Sequence, residues 1–137
     1  MTPVHYTLPL SETQRATLKA LQVADRPLTA YEVLEVLRAD RPSAAPPTAY
    51  RALEKLIAVG LAHRLESINA YVACCTEHEG EAAPVFAICD DCGGVNELVD
   101  PDALRTLAAR AQADGFAPHR SIVELHGRCA GCRKGSL

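Results

Sequence analysis

The fold of the first half is decided by the stretch PPTAYRALEKLIAVGLAHRLESINAYVAC, residues 46–74. Its first part predicts a helix, because the apolar residues recur at the i, i+4, i+7 and i+8 spacing of one packed face. These residues are Ala49, Leu53, Leu56 and Ile57. Gly60 is suited to end the helix. Two short extended runs follow, residues 61–66 and 70–74, and the three turn residues between them predict a β-hairpin.

Two more helices are predicted before this stretch. Ser11 begins a leucine-bearing run that ends near Asp25, and Thr29 begins a second run with Glu32 at the capping-box position. The inner side of the second helix is expected to carry Val33, Leu34, Val36 and Leu37. Three helices followed by a hairpin predict a winged helix-turn-helix domain over residues 1–75.

A second, smaller unit is predicted after a polar and acidic hinge at residues 76–84. Residues 85–137 show two strand-like runs, then a helix opened by Pro101, then a third strand over 119–126. The inward residues of this helix are expected to be Leu104, Leu107, Ala108 and Ala111. The predicted fold class is therefore α+β, a winged helix followed by a small α/β unit.

The second unit contains two C-x-x-C pairs, which predict one structural zinc ion. The pairs are Cys89 with Cys92 and Cys129 with Cys132. Four thiolates complete the tetrahedral shell that zinc favours, and the nearby glycines let the backbone turn closely around the sulfurs. A disulfide framework and a redox-active C-x-x-C are the alternatives. The first needs an oxidising compartment, and the second needs a cysteine at a helix N-terminus.

Composition gives weaker indications. Neither an apolar signal core nor a membrane-length apolar run is seen, so we expect a cytoplasmic protein with no membrane partner. The net charge of −3 does not indicate a nucleic-acid binder. However, residues 1–73 carry eight basic and seven acidic residues, against six and ten in residues 74–137, so any polyanion is expected to meet the first half.

The third helix has a polar face that suits DNA. Arg51 and Lys55 lie one turn apart, and Tyr50 beside them is able to contact a phosphate or a thymine methyl group. A solvated helix face explains the same pattern. Tyr31, near the start of the second helix, is equally explained as a partly buried aromatic residue.

A second metal site is suggested by donors outside the C-x-x-C pairs. His63 and Cys74 lie on the two arms of the hairpin, His78 lies in the hinge, and Glu97 follows the first C-x-x-C pair. A sulfur donor favours zinc over hard cations and iron(II). Each residue also has an ordinary explanation, since single histidines and glutamates are usually at the surface and cysteine is often buried as a small apolar residue.

Four motifs in order resemble the ferric uptake regulator family, and most closely its zinc-responsive branch, the zinc uptake regulators. They are PPTAYRALEKL at 46–56, HRLESINAYVAC at 63–74, FAICDDCG at 86–93 and ELHGRCAGC at 124–132. The resemblance implies a homodimeric, zinc-dependent repressor that binds palindromic operator DNA of zinc-homeostasis genes. It implies one structural and one regulatory zinc ion per subunit.

The same resemblance implies roles for individual residues. His63, Cys74 and Glu97 match regulatory zinc ligands. The fourth family ligand is a histidine slightly further along the hinge than His78, so Glu79 or Glu81 is an alternative to it. The residues that match DNA-contacting positions are Tyr31, Tyr50 and Arg51. Those that match a pair linking neighbouring dimers on DNA are Glu35 and Arg38, for which an i,i+3 pair within one helix is the simpler explanation. The residues left without an assigned role are Cys75, His119 and His126.

Other functions fit the sequence less well. The iron and peroxide branches carry a His-His-Asp-His run before the first C-x-x-C pair, and this chain has none. A zinc hydrolase or deaminase needs an open coordination position and a general base, as in H-x-E with P-C-x-x-C, and that combination is missing. We therefore predict a regulator and not an enzyme.

Overall fold

The computed structural model describes residues 9–74, 85–98, 100–118 and 121–134. The chain divides into two compact units, Met1–Cys75 and Thr76–Leu137. The predicted hinge at 76–84 lies outside the described residues.

The first unit contains three helices and a hairpin. The elements are α1 (Glu12–Val23), α2 (Ala30–Asp40), α3 (Pro46–Ala58), β1 (Ala62–Leu65) and β2 (Ala70–Ala73). Ser11 caps α1 and Thr29 caps α2, each in a capping box closed by the residue three positions on. Helix α3 begins with two prolines and has no side-chain cap. Proline has no backbone N–H, so these first positions leave fewer donors for a cap to satisfy.

The core of this unit is formed where the three helices meet. Its largest fully buried apolar side chains are Val33, Leu34, Leu53, Leu56 and Leu65. The prediction that Val36 faces inward was wrong, because 50% of it is exposed. At 100° per residue, Val36 points about 100° away from the centre of the stripe formed by Val33, Leu34 and Leu37. Ile57, at the edge of the α3 stripe, is also partly exposed.

The hairpin is tied back to the helices by one further backbone pair. Leu28 donates to the carbonyl of Tyr71 at 3.0 Å and accepts from its N–H at 2.7 Å. This bridge, which was not predicted, fixes the hairpin beside the N-terminus of α2. The three helices with their hairpin form the winged helix-turn-helix that the sequence predicted.

The described residues of the second unit form a three-stranded sheet and two helices. Its elements are β3 (Val85–Cys89), β4 (Val95–Leu98), α4 (Pro101–Ala113), β5 (Val123–Gly127) and α5 (Ala130–Lys134). The strand order is β4-β3-β5, with β4 antiparallel to β3 and β5 parallel to it. The fold class α+β is confirmed, whereas the parallel pairing and α5 were not predicted.

The core of the second unit is small. Among its described residues the buried ones are Val85, Phe86, Ile88, Cys89 and Leu104. The prediction that Leu107 faces inward was wrong within this unit, because 58% of it is exposed and the described residues of the unit leave that part of α4 uncovered. No helix in the described parts of the chain is long and apolar enough to cross a membrane.

Candidate metal centre and nucleic-acid interface

The two C-x-x-C turns meet because they follow parallel neighbouring strands. Cys89 is the last residue of β3 and lies opposite Gly127, the last residue of β5. The carboxyl ends of parallel strands share one edge of a sheet, so the turn after β3 and the turn after β5 begin side by side. The N–H of Asp90 also donates to the carbonyl of Gly127 at 2.8 Å, which continues the pairing into the turns.

The four sulfur atoms fit a tetrahedral zinc ion. The Sγ atoms of Cys89, Cys92, Cys129 and Cys132 all lie within 4.8 Å of one another. Those of Cys92 and Cys129, one from each turn, are 3.9 Å apart. Zinc–sulfur bonds of about 2.3 Å in a regular tetrahedron place the sulfurs about 3.8 Å apart. The donor set and its spacing therefore suit a structural zinc site.

Backbone N–H groups prepare Cys89 to bind metal. The N–H of Cys129 and that of Cys92 point at Cys89 Sγ, at 3.4 and 3.5 Å. These two hydrogen bonds lower the pKa of Cys89 to about 6. Hydrogen bonds with Cys129 and Cys89, together with burial, raise the pKa of Cys132 to about 12. Zinc binds cysteine as the thiolate, so the lowered pKa of Cys89 favours metal binding at that sulfur.

Glycines shape the first turn around its sulfurs. Gly93 has a φ of +75°, a conformation that residues with a Cβ rarely adopt. A Cβ atom built on Gly94 would lie 3.3 Å from Cys92 Sγ, and the N–H of Gly94 donates to the same sulfur at 3.4 Å. The close approach of backbone to sulfur that the sequence predicted is therefore present at this turn.

Two of the predicted regulatory ligands lie together in the first unit. His63 on β1 pairs directly with Val72, and Cys74 lies two residues after Val72, just beyond the end of β2. The N–H of Cys74 donates to the carbonyl of Leu61 at 2.9 Å, which holds Cys74 beside the hairpin. A ring nitrogen of His63 and the Sγ of Cys74 lie within 4.8 Å of each other. The hairpin therefore presents one nitrogen and one sulfur donor.

The remaining predicted ligands belong to other segments of the chain. Glu97 is a partly buried residue of β4 in the second unit, where it pairs with Phe86. His78, with its alternatives Glu79 and Glu81, lies outside the described residues, as do Cys75 and His119. The structure describes His126, whose Nδ1 is 3.1 Å from Asp90 Oδ1.

The predicted DNA-contacting residues are all exposed. Tyr50, Arg51 and Lys55 lie on the side of α3 opposite its buried residues, and Tyr50 is 41% exposed. Tyr31, at the second position of α2, is 67% exposed, so it is not the partly buried aromatic residue considered as an alternative. Exposed tyrosines beside basic residues are a suitable surface for phosphates and base edges.

Glu35 and Arg38 pair with each other on α2. The guanidinium of Arg38 is 3.4 Å from the Glu35 carboxylate and also donates to the carbonyl of Ala44 at 3.0 Å. The simple i,i+3 pair is therefore formed within the single chain.

Sequence reasoning missed the charged residues between the cysteines. Arg128 donates to Asp91 Oδ2 at 2.6 Å and to the carbonyl of Cys132 at 3.3 Å. The signal was available, because opposite charges lie inside CDDC and directly before the second C-x-x-C pair. It could be read only once the two turns were known to be adjacent.

Comparison with known proteins identifies relatives over most of the chain. The zinc uptake regulation protein of Escherichia coli (strain K12) is 39% identical over 118 residues, which are 84% of this chain and 67% of that protein. The crystal structure of holo XcZur matches with a TM-score of 0.86 at 40% identity, covering 96% of this chain and 92% of that one. A zinc uptake regulator complexed with zinc and DNA matches with a TM-score of 0.89 at 33% identity, covering 96% and 87%.

These similarities confirm the resemblance noted in the sequence. The model of the ferric uptake regulator family matches residues 7–126. Since that match spans most of the residues and agrees with the relatives in sequence and in fold, the chain belongs to the ferric uptake regulator family.

Proposed function

We propose that this protein is a zinc-dependent transcriptional repressor that binds palindromic operator DNA of zinc-homeostasis genes as a homodimer. The first unit, with residues 1–75, would bind the DNA, and residues 85–137 would form the dimer. The members of the family are transcription regulators and not enzymes. The observation that carries the proposal is the pair of donors on the hairpin of a winged helix, His63 and Cys74, in a chain whose relatives are zinc regulators.

A solved complex of a relative supports the proposal that this protein binds both zinc and DNA. The relative with a TM-score of 0.89 is a zinc uptake regulator complexed with zinc and DNA. The exposed tyrosines and basic residues of α2 and α3 supply the chemistry that a DNA surface needs. We assign Tyr31, Tyr50, Arg51 and Lys55 to that contact.

We assign the regulatory zinc to His63, Cys74 and Glu97, with His78, Glu79 or Glu81 as the fourth ligand. The sulfur of Cys74 favours zinc over iron(II), and the His63 nitrogen suits zinc equally well. Since His63 and Cys74 belong to the first unit and Glu97 to the second, their binding to one ion would join the two units. The permanent zinc ion would be held by the four cysteines of the second unit.

A second copy of the chain is the partner that the second unit requires. Its exposed apolar residues are Leu98, Leu107, Phe116, Ile122 and Leu125. A unit with so small a core rarely leaves this much apolar surface in water, and such surfaces usually mark protein interfaces. We propose that a second copy covers them in the homodimer.

Regulation would follow from geometry and not from new contacts. Two recognition helices can grip both halves of a palindrome only at one separation and orientation. When His63, Cys74 and Glu97 share an ion, the first unit is fixed to the dimer and that geometry is populated. Without the shared ion the two recognition helices would rarely adopt this separation and orientation. The affinity for DNA would then fall in proportion to the fraction of protein in the binding-competent geometry.

DNA binding across buffered free zinc tests the proposal. The probe is a duplex enriched from random-sequence DNA by the zinc-loaded protein, and binding is followed by fluorescence anisotropy. We expect binding to rise with free zinc over the range in which the weaker site fills. Tight binding that persists after the weaker zinc is removed would contradict the regulatory role.

Zinc content per chain tests the ligand assignment. We expect two zinc ions for the parent chain and one for Cys74→Ser. The Cys74→Ser chain should also bind DNA weakly at every free zinc concentration. Cys75→Ser is the matched control and should keep both ions. Two ions in Cys74→Ser would refute the assignment. Separate substitutions of His78, Glu79 and Glu81 by glutamine would identify the fourth ligand.

The second candidate is an iron- or peroxide-responsive regulator of the same family. Metal analysis of protein from cells grown with excess iron or excess zinc separates the two. The sulfur of Cys74 predicts that zinc occupies the regulatory site under both conditions.

A further inference from the structure

A single arginine side chain spans the two cysteine turns. Arg128 stands between β5 and Cys129, directly before the second turn. Its Nε donates to the Asp91 carboxylate, which lies inside the first turn, at 2.6 Å. Its Nη2 donates to the carbonyl of Cys132, at the far end of the second turn, at 3.3 Å. We call these three groups the Arg128 bridge.

The Arg128 bridge is expected to affect how easily a four-sulfur site releases its metal ion. Each turn holds two of the four ligands, so the ion leaves easily only when the two turns move apart. The sheet joins the turns on one side, through the hydrogen bond from Asp90 to Gly127. The Arg128 bridge joins them through side-chain contacts as well. A planar guanidinium can hold two acceptors at fixed positions, which a lysine ammonium does less well.

The charge of Arg128 also suits the filled site. Four thiolates and one Zn²⁺ carry a net charge of about −2. The guanidinium has the opposite charge, and its hydrogen bonds to Asp91 and to the carbonyl of Cys132 hold it at the two turns.

We propose that Arg128 is a positioning residue that holds the two cysteine turns together and slows the release of the structural zinc. The proposal rests on the assignment of the four cysteines as zinc ligands. It does not depend on the regulatory site or on DNA binding.

The test follows zinc release from the full chain in the Cys74→Ser background, where the structural ion is the one expected to remain. Excess of a chromogenic chelator, 4-(2-pyridylazo)resorcinol, reports release over time. Asp91→Asn should release zinc about two to five times faster, in keeping with a half-exposed ion pair. Arg128→Gln should release it about ten times faster, because both hydrogen bonds of a charged donor are lost. Arg128→Lys should fall between the parent and Arg128→Gln.

A double-mutant cycle separates the bridge from two independent effects. If Asp91 and Arg128 act together, the Asp91→Asn/Arg128→Gln chain should release zinc no faster than Arg128→Gln alone. The matched control is Asp102→Asn, which removes an aspartate–arginine pair of 3.0 Å with Arg105 on α4. It should release zinc at the parental rate.

Amide exchange of the zinc-loaded variants provides a structural readout. Protection of β3 and β4 should match that of the parent, since the bridge is proposed to act on the turns and not on the sheet. Parental release rates in the Asp91 and Arg128 variants, or effects that simply add, would overturn the proposal. If the parent itself holds no zinc, the structural site and this inference are both wrong.

Discussion

Removal of the structural zinc should unfold the second unit and leave the first unit folded. The perturbation is Cys129→Ser, which takes away one of the two most exposed sulfurs of the cluster. Among the described residues of the second unit, four apolar side chains besides Cys89 are buried, namely Val85, Phe86, Ile88 and Leu104. At about 1.5–3 kcal/mol each, they contribute roughly 6–12 kcal/mol before any entropic cost. A structural zinc ion contributes about 10–16 kcal/mol, so its contribution would be comparable to or larger than that of these four side chains.

Hydrogen exchange followed by mass spectrometry measures the result by segment. In Cys129→Ser, amides of β3, β4 and α4 should lose protection, while those of α2 and α3 should keep it because the first unit has its own core. Zinc removal from the parent with a strong chelator should give the same pattern. Cys74→Ser is the control, since it should leave the second unit protected. Parental protection of β3 in metal-free Cys129→Ser would refute the reasoning.

Three further outcomes are expected. Leu53→Ala should lower the free energy of unfolding of the first unit by about 2–5 kcal/mol, because the side chain is fully buried. Ile57→Ala, at the partly exposed edge of the same helix, should lower it by less than about 1 kcal/mol. Urea denaturation measures both values. Glu32→Gln should cost about 1 kcal/mol at neutral pH, because the Arg26 guanidinium and the N–H of Thr29 lower the pKa of Glu32 to about 2 and solvent screens the exposed pair. Since the folded pKa lies below the unfolded one, this difference should be complete above about pH 4.5 and vanish as the pH falls toward 2; a constant difference would contradict it. Arg51→Gln should reduce the dependence of log affinity for DNA on log salt concentration by about one, measured by anisotropy, whereas an unchanged slope would exclude a phosphate contact.

The first unit was predictable because its signals are local. The capping boxes at Ser11 and Thr29, and the prolines that open α3, act within a few residues of the positions that they fix. Val36 was misplaced because an apolar residue beside a stripe resembles one within it. The bridge between Leu28 and Tyr71 joins residues far apart in sequence, and no pattern in either segment indicates the other.

The second unit was only partly predictable, because its key relationship is non-local. The C-x-x-C pairs indicated the four candidate zinc ligands, since thiolate spacing is a local property. The parallel pairing of β3 with β5 depends on the path of the chain through α4, which periodicity does not reveal. The contact of Arg128 with Asp91 follows from that pairing, so it was beyond reach for the same reason. Leu107 was misassigned because an apolar helix face predicts that a residue is buried. It does not indicate whether the residues that bury it belong to the same chain.

Because of the register of β3 against β5, the proposed structural zinc would also depend on correct strand alignment. Cys89 lies opposite Gly127, and the following turns place their sulfurs at zinc-binding distances. A slip of one residue would displace one turn by about 3.3 Å along the strands, which exceeds a zinc–sulfur bond of about 2.3 Å, and would reverse the faces of every side chain in the strand. A misaligned sheet therefore cannot collect all four thiolates around one ion. Only chains that have aligned these strands correctly would gain the full stabilisation by the proposed zinc ion, so metal binding would favour the native strand register over slipped ones.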